Sequence, residues 1–118
     1  MDDIILKRFE TPDEIRVFEK GKFEIIRFAG MTIGRATYSP GWKWSVDVSP
    51  LAGTEFCEVG HLGMVLAGKA TCAFKDGEVH TLESGDLFQI GPEPHDSWVV
   101  GDTEYVSLHF QGAGEYAK

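Results

Sequence analysis

The sequence predicts an all-β domain whose sheet closes into a barrel around an interior large enough for a ligand or a metal ion. Three observations predict it. Fourteen glycines and five prolines in 118 residues cut the chain into short runs, because turns take glycine for positive φ and proline for a preset φ. The runs, roughly nine or ten of them, recur at the regular spacing of a sandwich or barrel. Between Leu62 and Phe74 the pattern alternates: Met64, Leu66, Ala70, Cys72 and Phe74 share one parity, and Lys69, Thr71 and Lys75 the other. Such alternation marks a strand with one buried face. Closing the sheet would remove the strand edges that invite aggregation.

The elements follow in order. Ile4 to Phe9 is apolar enough for a first strand. Thr11-Pro12-Asp13-Glu14 can cap a helical turn that runs to Phe18, since Thr caps and Pro and acids suit a first turn. Lys20-Gly21-Lys22 turns into a strand at Phe23 to Phe28, and Ala29-Gly30 turns into another at Met31 to Tyr38. Ser39-Pro40-Gly41 breaks that strand, and Trp42 to Val48 forms the next. After the alternating stretch, Asp76-Gly77 signals a two-residue hairpin turn leading to Val79–Leu82. Ser84-Gly85-Asp86 leads to Leu87–Ile90, the Gly91-Pro92-Glu93-Pro94 loop to His95–Val100, and Gly101-Asp102 to Tyr105–Phe110.

Composition narrows the function. A formal charge of -8 argues against nucleic acid as a partner, because phosphate recognition needs clustered Lys and Arg. No run approaches the ~20 apolar residues that span a bilayer, and Met1-Asp2-Asp3 lacks the basic start of a signal peptide. A cytoplasmic protein without membrane contact is the expectation. Cys57 and Cys72 are too few for a disulfide framework and are expected as free thiols.

Two stretches say more than periodicity. Gly60-His61-Leu62-Gly63-Met64-Val65-Leu66-Ala67-Gly68-Lys69 and Gly85-Asp86-Leu87-Phe88-Gln89-Ile90-Gly91-Pro92-Glu93-Pro94-His95 together resemble the two conserved halves of the cupin superfamily. The resemblance covers residues 36 to about 110 and implies one cupin domain over 1–118, a double-stranded β-helix or jelly-roll barrel. Residues 40–57 and 95–102 are similar to small stand-alone bacterial cupins. The superfamily's usual metal set is three histidines and a glutamate, written His-x-His with Glu following, then a histidine in the second motif. Set against that pattern, Glu55 and Cys57 stand at the two histidines, His61 at the glutamate, and His95 at the second-motif histidine. The resemblance therefore implies a metal set of Glu55, Cys57, His61 and His95, in which the first motif departs from the family's. Imidazole, thiolate and carboxylate together suit a divalent transition metal (zinc, iron, nickel, manganese or copper) better than magnesium or calcium.

Each candidate also has a structural reading. His95 can cap a loop, and His61 can be a turn residue between Gly60 and Gly63. His61 has the opposite parity to Met64 and Leu66, so it faces inward only if the glycines introduce a bulge. Cys57 can be a small buried hydrophobe, and Glu55 a solvated acid. Cys72 reads as core and His80 as exposed. His109 shares parity with Tyr105 and Ser107, and either serves structure or lines the interior from the last strand. Trp42, Trp44 and Trp98 are core residues or the walls of a pocket, to which Trp44, Met64, Trp98 and His109 are assigned.

Three functions follow. One is a metal-dependent oxygenase, isomerase or lyase, or a metal-bound sensor, acting on a small molecule in the barrel. Another is a metal-free binding module. The third is a redox sensor, in which two histidines lower the thiol pKa of Cys57. By resemblance to other cupins, pairing through edge strands into a homodimer is expected.

Overall fold

The computed structural model describes residues 3–117; Met1, Asp2 and Lys118, which the single-domain expectation includes, lie outside the described residues. Nine strands among the described residues run β1 (Glu14–Phe18), β2 (Gly21–Phe28), β3 (Met31–Tyr38), β4 (His61–Ala67), β5 (Lys69–Phe74), β6 (Val79–Glu83), β7 (Leu87–Ile90), β8 (His95–Asp96) and β9 (Tyr105–Gln111). Two single-turn helices, α1 (Trp44–Asp47) and α2 (Ser49–Ala52), stand between β3 and β4. The strands make a six-stranded sheet in the order β1-β2-β3-β9-β4-β7 and a three-stranded sheet in the order β6-β5-β8. Every pairing is antiparallel. The fold is thus the all-β jelly roll expected, built from two sheets over one core rather than from one continuously paired cylinder. No helix among the described residues is long and apolar enough to cross a membrane.

Several local expectations give way to tertiary structure. Ile4 to Phe9 pairs with nothing, and Ile4 and Leu6 are exposed; the arm is instead tied down by Lys7, whose Nζ donates to Asp13 and to the Arg27 carbonyl at 2.9 Å. The helix expected from Thr11 is strand β1. One capped turn without length is a poor helix, whereas five backbone pairings join Glu14–Phe18 to β2. Trp42–Val48 is not a strand. Its β-prone Trp and Val residues yield to two buried carboxylates: Asp47 accepts from the Lys43 N–H at 2.8 Å, and Asp96 accepts from the Ser45 N–H at 3.0 Å and its hydroxyl at 2.8 Å. Pro50 then fits the first turn of α2. The Asp76-Gly77 turn has three residues, closed by Gly77 N–H to the Phe74 carbonyl and Phe74 N–H to the Glu78 carbonyl. The strand expected over His95–Val100 keeps only β8, followed by isolated bridges at Trp98 and Val99.

The correction that matters for the site concerns parity. In β4 the inward residues are His61, Gly63 and Val65, while Leu66 is exposed and Met64 half-buried. In β5 they are Ala70 and Cys72, joined by Thr71. The apparently continuous alternation from Leu62 to Phe74 is two strands of opposite phase. The phase changes between Val65 and Gly68, where the β4–β9 register slips and Gly68 takes φ +75°. His61 therefore faces inward with Gly63 and Val65, and the β4–β9 register also slips between Leu62 and Gly63, at the glycine beside it.

Gly68 also lies against backbone, and a Cβ there would overlap the Glu104 carbonyl. Gly53 has a similar φ of +77° but open space around it. Gly68→Ala is expected to cost roughly 2–4 kcal/mol in urea denaturation against ~1 kcal/mol for Gly53→Ala, since only the first adds a backbone clash to the left-handed penalty. Equal costs would contradict the tight corner.

Candidate metal centre

Cys57, His61 and His95 reach the same point from different parts of the chain. Cys57 lies in the segment after α2 and pairs with His95 through two backbone hydrogen bonds, Cys57 N–H to the His95 carbonyl at 2.8 Å and His95 N–H to the Cys57 carbonyl at 3.0 Å. Residues that exchange both bonds sit directly opposite with side chains on one face, so the backbone itself sets Cys57 beside His95. His61 comes from the other sheet, where it opposes Ile90 of β7. Its Nε2 stands 3.5 Å from Cys57 Sγ, and the His61 and His95 rings meet edge-on at 5.6 Å. One ligand atom from each of the three lies within 4.8 Å of the others, and all three residues are buried. The group can hold a metal ion.

Hydrogen bonding decides which atoms are free. His95 Nδ1 lies 2.9 Å from the Glu93 carbonyl. A carbonyl only accepts, so Nδ1 carries the proton and Nε2 of the neutral ring keeps its lone pair. A second-layer carbonyl of this kind orients metal-binding histidines.

The three residues line an interior cavity of about 40 Å³, room for roughly three water-sized groups. Trp44 and His109, both assigned to the pocket from the sequence, line it as well. Met64 and Trp98 do not. Met64 lies on the outer face of the six-stranded sheet between Leu108 and Leu87, and half-buried Trp98 carries the Lys43 ammonium over its ring at 5.4 Å. Glu55 is exposed and stands outside the Cys57–His61–His95 group. Trp42, Tyr38, Ser107 and Tyr116 stand on the wall too. Nothing in the sequence marked Ser107 or Tyr116, the latter with a hydroxyl that meets that of Tyr38 at 2.6 Å.

Burial dominates the electrostatics. It pushes the Cys57 thiol up to about 11, so the two histidines do not make a reactive thiolate, and the redox-sensor expectation loses its basis. Burial, then the neighbouring His109 and His95, holds His61 well below the usual imidazole range. Burial lowers His95 also, partly offset by its bond to Glu93, and lowers His109 to about 4. All three rings are neutral at pH 7, the form that binds metals. An open surface groove lined by Glu58, Gly60, Gln89, Gln111 and Glu115 reaches His61 from outside.

No protein-family model and no curated protein matches the chain. Solved structures do. A protein of unknown function from Rhizobium leguminosarum bv. viciae is 19% identical with a TM-score of 0.59, covering 78% of this chain and 80% of its own. A cupin-like protein from Thermotoga maritima is 16% identical with a TM-score of 0.57, over 95% of this chain and 82% of that one. A sugar phosphate isomerase of the cupin superfamily from Silicibacter pomeroyi is 14% identical with a TM-score of 0.57, over 81% and 68%. The fold is the cupin fold.

The buried rings tie stability to pH. In the metal-free protein the unfolded chain takes up protons near the ordinary histidine value of 6.5 and the folded chain does not. The stabilisation is complete above about pH 6.5 and is lost as pH falls toward 4, with His109 alone contributing roughly 3 kcal/mol. The thermal midpoint is expected to drop between pH 6.5 and 4.5, and His109→Leu to flatten that drop. A midpoint independent of pH across this window would contradict neutral burial.

Proposed function

We propose that the chain is a metal-binding cupin in which Cys57 Sγ, His61 Nε2 and His95 Nε2 hold one divalent transition ion, whose remaining position takes a small molecule. The observation that carries this reading is the convergence of three buried ligand atoms within 4.8 Å, one of them fixed in its metal-ready tautomer by Glu93. Three protein ligands with a position left over is the pattern of catalytic rather than structural sites. With Glu55 outside the group, the donors are one sulfur and two nitrogens, which favour zinc, copper or iron over manganese. An ion bound there supplies Lewis acidity toward a substrate oxygen or a bound water. The chain's own part is to exclude bulk water, to keep both imidazoles neutral and to give up the thiol proton of Cys57 on binding. Oxygenase, isomerase and lyase chemistry all fit such a centre, and the isomerase from Silicibacter pomeroyi lends the second of these some support by fold.

Elemental analysis of protein purified without chelator, and again after loading with zinc, iron, nickel, manganese or copper, tests the reading. About one ion per chain is expected in the wild type and none in the His61→Ala/His95→Ala double variant. Cys57→Ser is expected to weaken binding at least about tenfold, and Glu55→Gln to leave it unchanged. Uptake of none of the five ions would select a metal-free binding module instead.

Proton release gives a second check. With the thiol at about 11 and both histidines already neutral, each ion displaces one proton between pH 7 and 9. Apparent affinity is expected to rise about tenfold per pH unit over that range. A slope near zero would mean that Cys57 is not a ligand.

A further inference from the structure

An ion bound by Cys57, His61 and His95 has to reach them, and none of the three is more than 5% exposed. Part of the wall therefore has to move. The open groove outside touches the group at His61 and is bounded by three stretches of chain: Glu58 to Gly60, Gln89 to Pro92, and Gln111, Gly112 and Glu115. Two of these cannot move without the ligands. Glu58 and Gly60 adjoin Cys57 and His61 in the chain. β7 pairs with β4 at Ile90 and His61, and the loop after β7 carries the Glu93 carbonyl that orients His95.

The segment after β9, residues 112–117, is held differently. It supplies none of the three ligands and no strand pairing, and its own backbone bonds are local, from the Glu115 and Tyr116 N–H groups to the Gly112 carbonyl at 3.2 Å. It closes the cavity all the same. Tyr116 stands on the wall, with its ring 5.5 Å from that of His61 and 4.8 Å from that of Phe23. Two side chains fasten it there. Arg16 Nη1 of β1 donates to the Tyr116 carbonyl at 2.6 Å and to the Ala113 carbonyl at 3.4 Å, while Glu14 steadies Arg16 Nε at 2.7 Å. The Tyr116 hydroxyl meets that of Tyr38. At the start of the segment Gly112 takes φ +86°, and a Cβ there would overlap the carbonyl of Gly60, the residue before His61. Only glycine suits that φ and that approach, and such a position can absorb a hinge rotation.

We propose that residues 112–117 form the gate of the metal centre, hinged at Gly112 and latched by Arg16, and that an ion or small molecule enters beside His61 when the segment swings away. What passes through rests on the metal reading; the opening itself does not. Segments with few regular backbone bonds open at lower free energy than the sheets they cover. A latch of one guanidinium and one phenol releases without unpairing either sheet. Glu58 and Glu115 on the groove favour the arrival of a cation there.

Two rates test this: modification of the Cys57 thiol by methyl methanethiosulfonate in metal-free protein, and zinc loss from loaded protein to excess chelator. Arg16→Met removes the latch and keeps an unbranched side chain. Both rates are expected to rise about tenfold, while zinc affinity stays within about twofold because the segment holds no ligand. Thr32→Cys/Gly114→Cys ties the segment to β3, since a Cβ at Gly114 comes 4.0 Å from Thr32 Cγ2, near the span of a disulfide. The oxidised tether is expected to slow both rates at least about tenfold against wild type, and reduction to restore zinc loss. Cys57 modified as fast in the oxidised tether as in wild type would overturn the gate, whether or not zinc binds. Faster zinc loss in Arg16→Met with an equal loss of affinity and unchanged Cys57 modification would mean damage to the site, and would also overturn it. Failure of the wild type to take up zinc would remove the metal reading alone, with the thiol rates still deciding the gate.

Discussion

An imidazole taken out of water has to be neutral, and its nitrogens have to find hydrogen bonds or a metal. This fold takes three of them, His61, His95 and His109, into one small cavity together with a thiol. Desolvation keeps the rings uncharged and the thiol protonated, at a cost that apolar side chains in the same places would not incur. Much of the surrounding structure provides for them. The Glu93 carbonyl accepts a hydrogen bond from His95 Nδ1–H, Ser107 meets His109, and Cys57 meets His61. The two ring nitrogens left without partners are Nδ1 of His61 and Nδ1 of His109, both residues of the cavity wall.

The centre belongs to neither sheet alone. His61 is carried by the six-stranded sheet, while Cys57 and His95 form a backbone pair at the edge of the three-stranded one. Asp96, the neighbour of His95, ties that edge to α1 through Ser45, and α1 brings Trp44 to the cavity wall. The position of the site thus depends on the packing of the two sheets over a common core that includes Phe23, Val65, Phe88 and Tyr105. A metal ion spanning Cys57, His61 and His95 would in turn cross-link the sheets and couple binding to stability.

The sequence was legible where local chemistry and tertiary structure agree. Ala29-Gly30 forms the expected tight turn with both residues at positive φ, and Met31–Tyr38 and Leu87–Ile90 are strands as bounded. It was misleading where a distant partner decides. Trp42–Val48 has strand-like residues, but Asp47 and Asp96 satisfy its amides in helical turns. Thr11-Pro12-Asp13 reads as a helix cap, but β2 offers Glu14–Phe18 a full set of strand partners. In the site, His95 was legible from the cupin resemblance and His109 from its place on the last strand, whose inward parity carries Tyr105, Ser107 and His109 rather than the more apolar Val106, Leu108 and Phe110. His61 looked misdirected because two strands of opposite phase read as one. Glu55 matched a motif position by counting alone, and a count carries no information about which way a loop residue points.

X-ray absorption spectroscopy at the zinc edge of zinc-loaded protein tests the central claim most directly, because it reads the ligands rather than the stoichiometry. The account predicts one sulfur at about 2.3 Å and two imidazole nitrogens at about 2.0–2.1 Å, with one further light atom. A shell with no sulfur, or with two sulfurs drawn from Cys57 and Cys72 together, would contradict it.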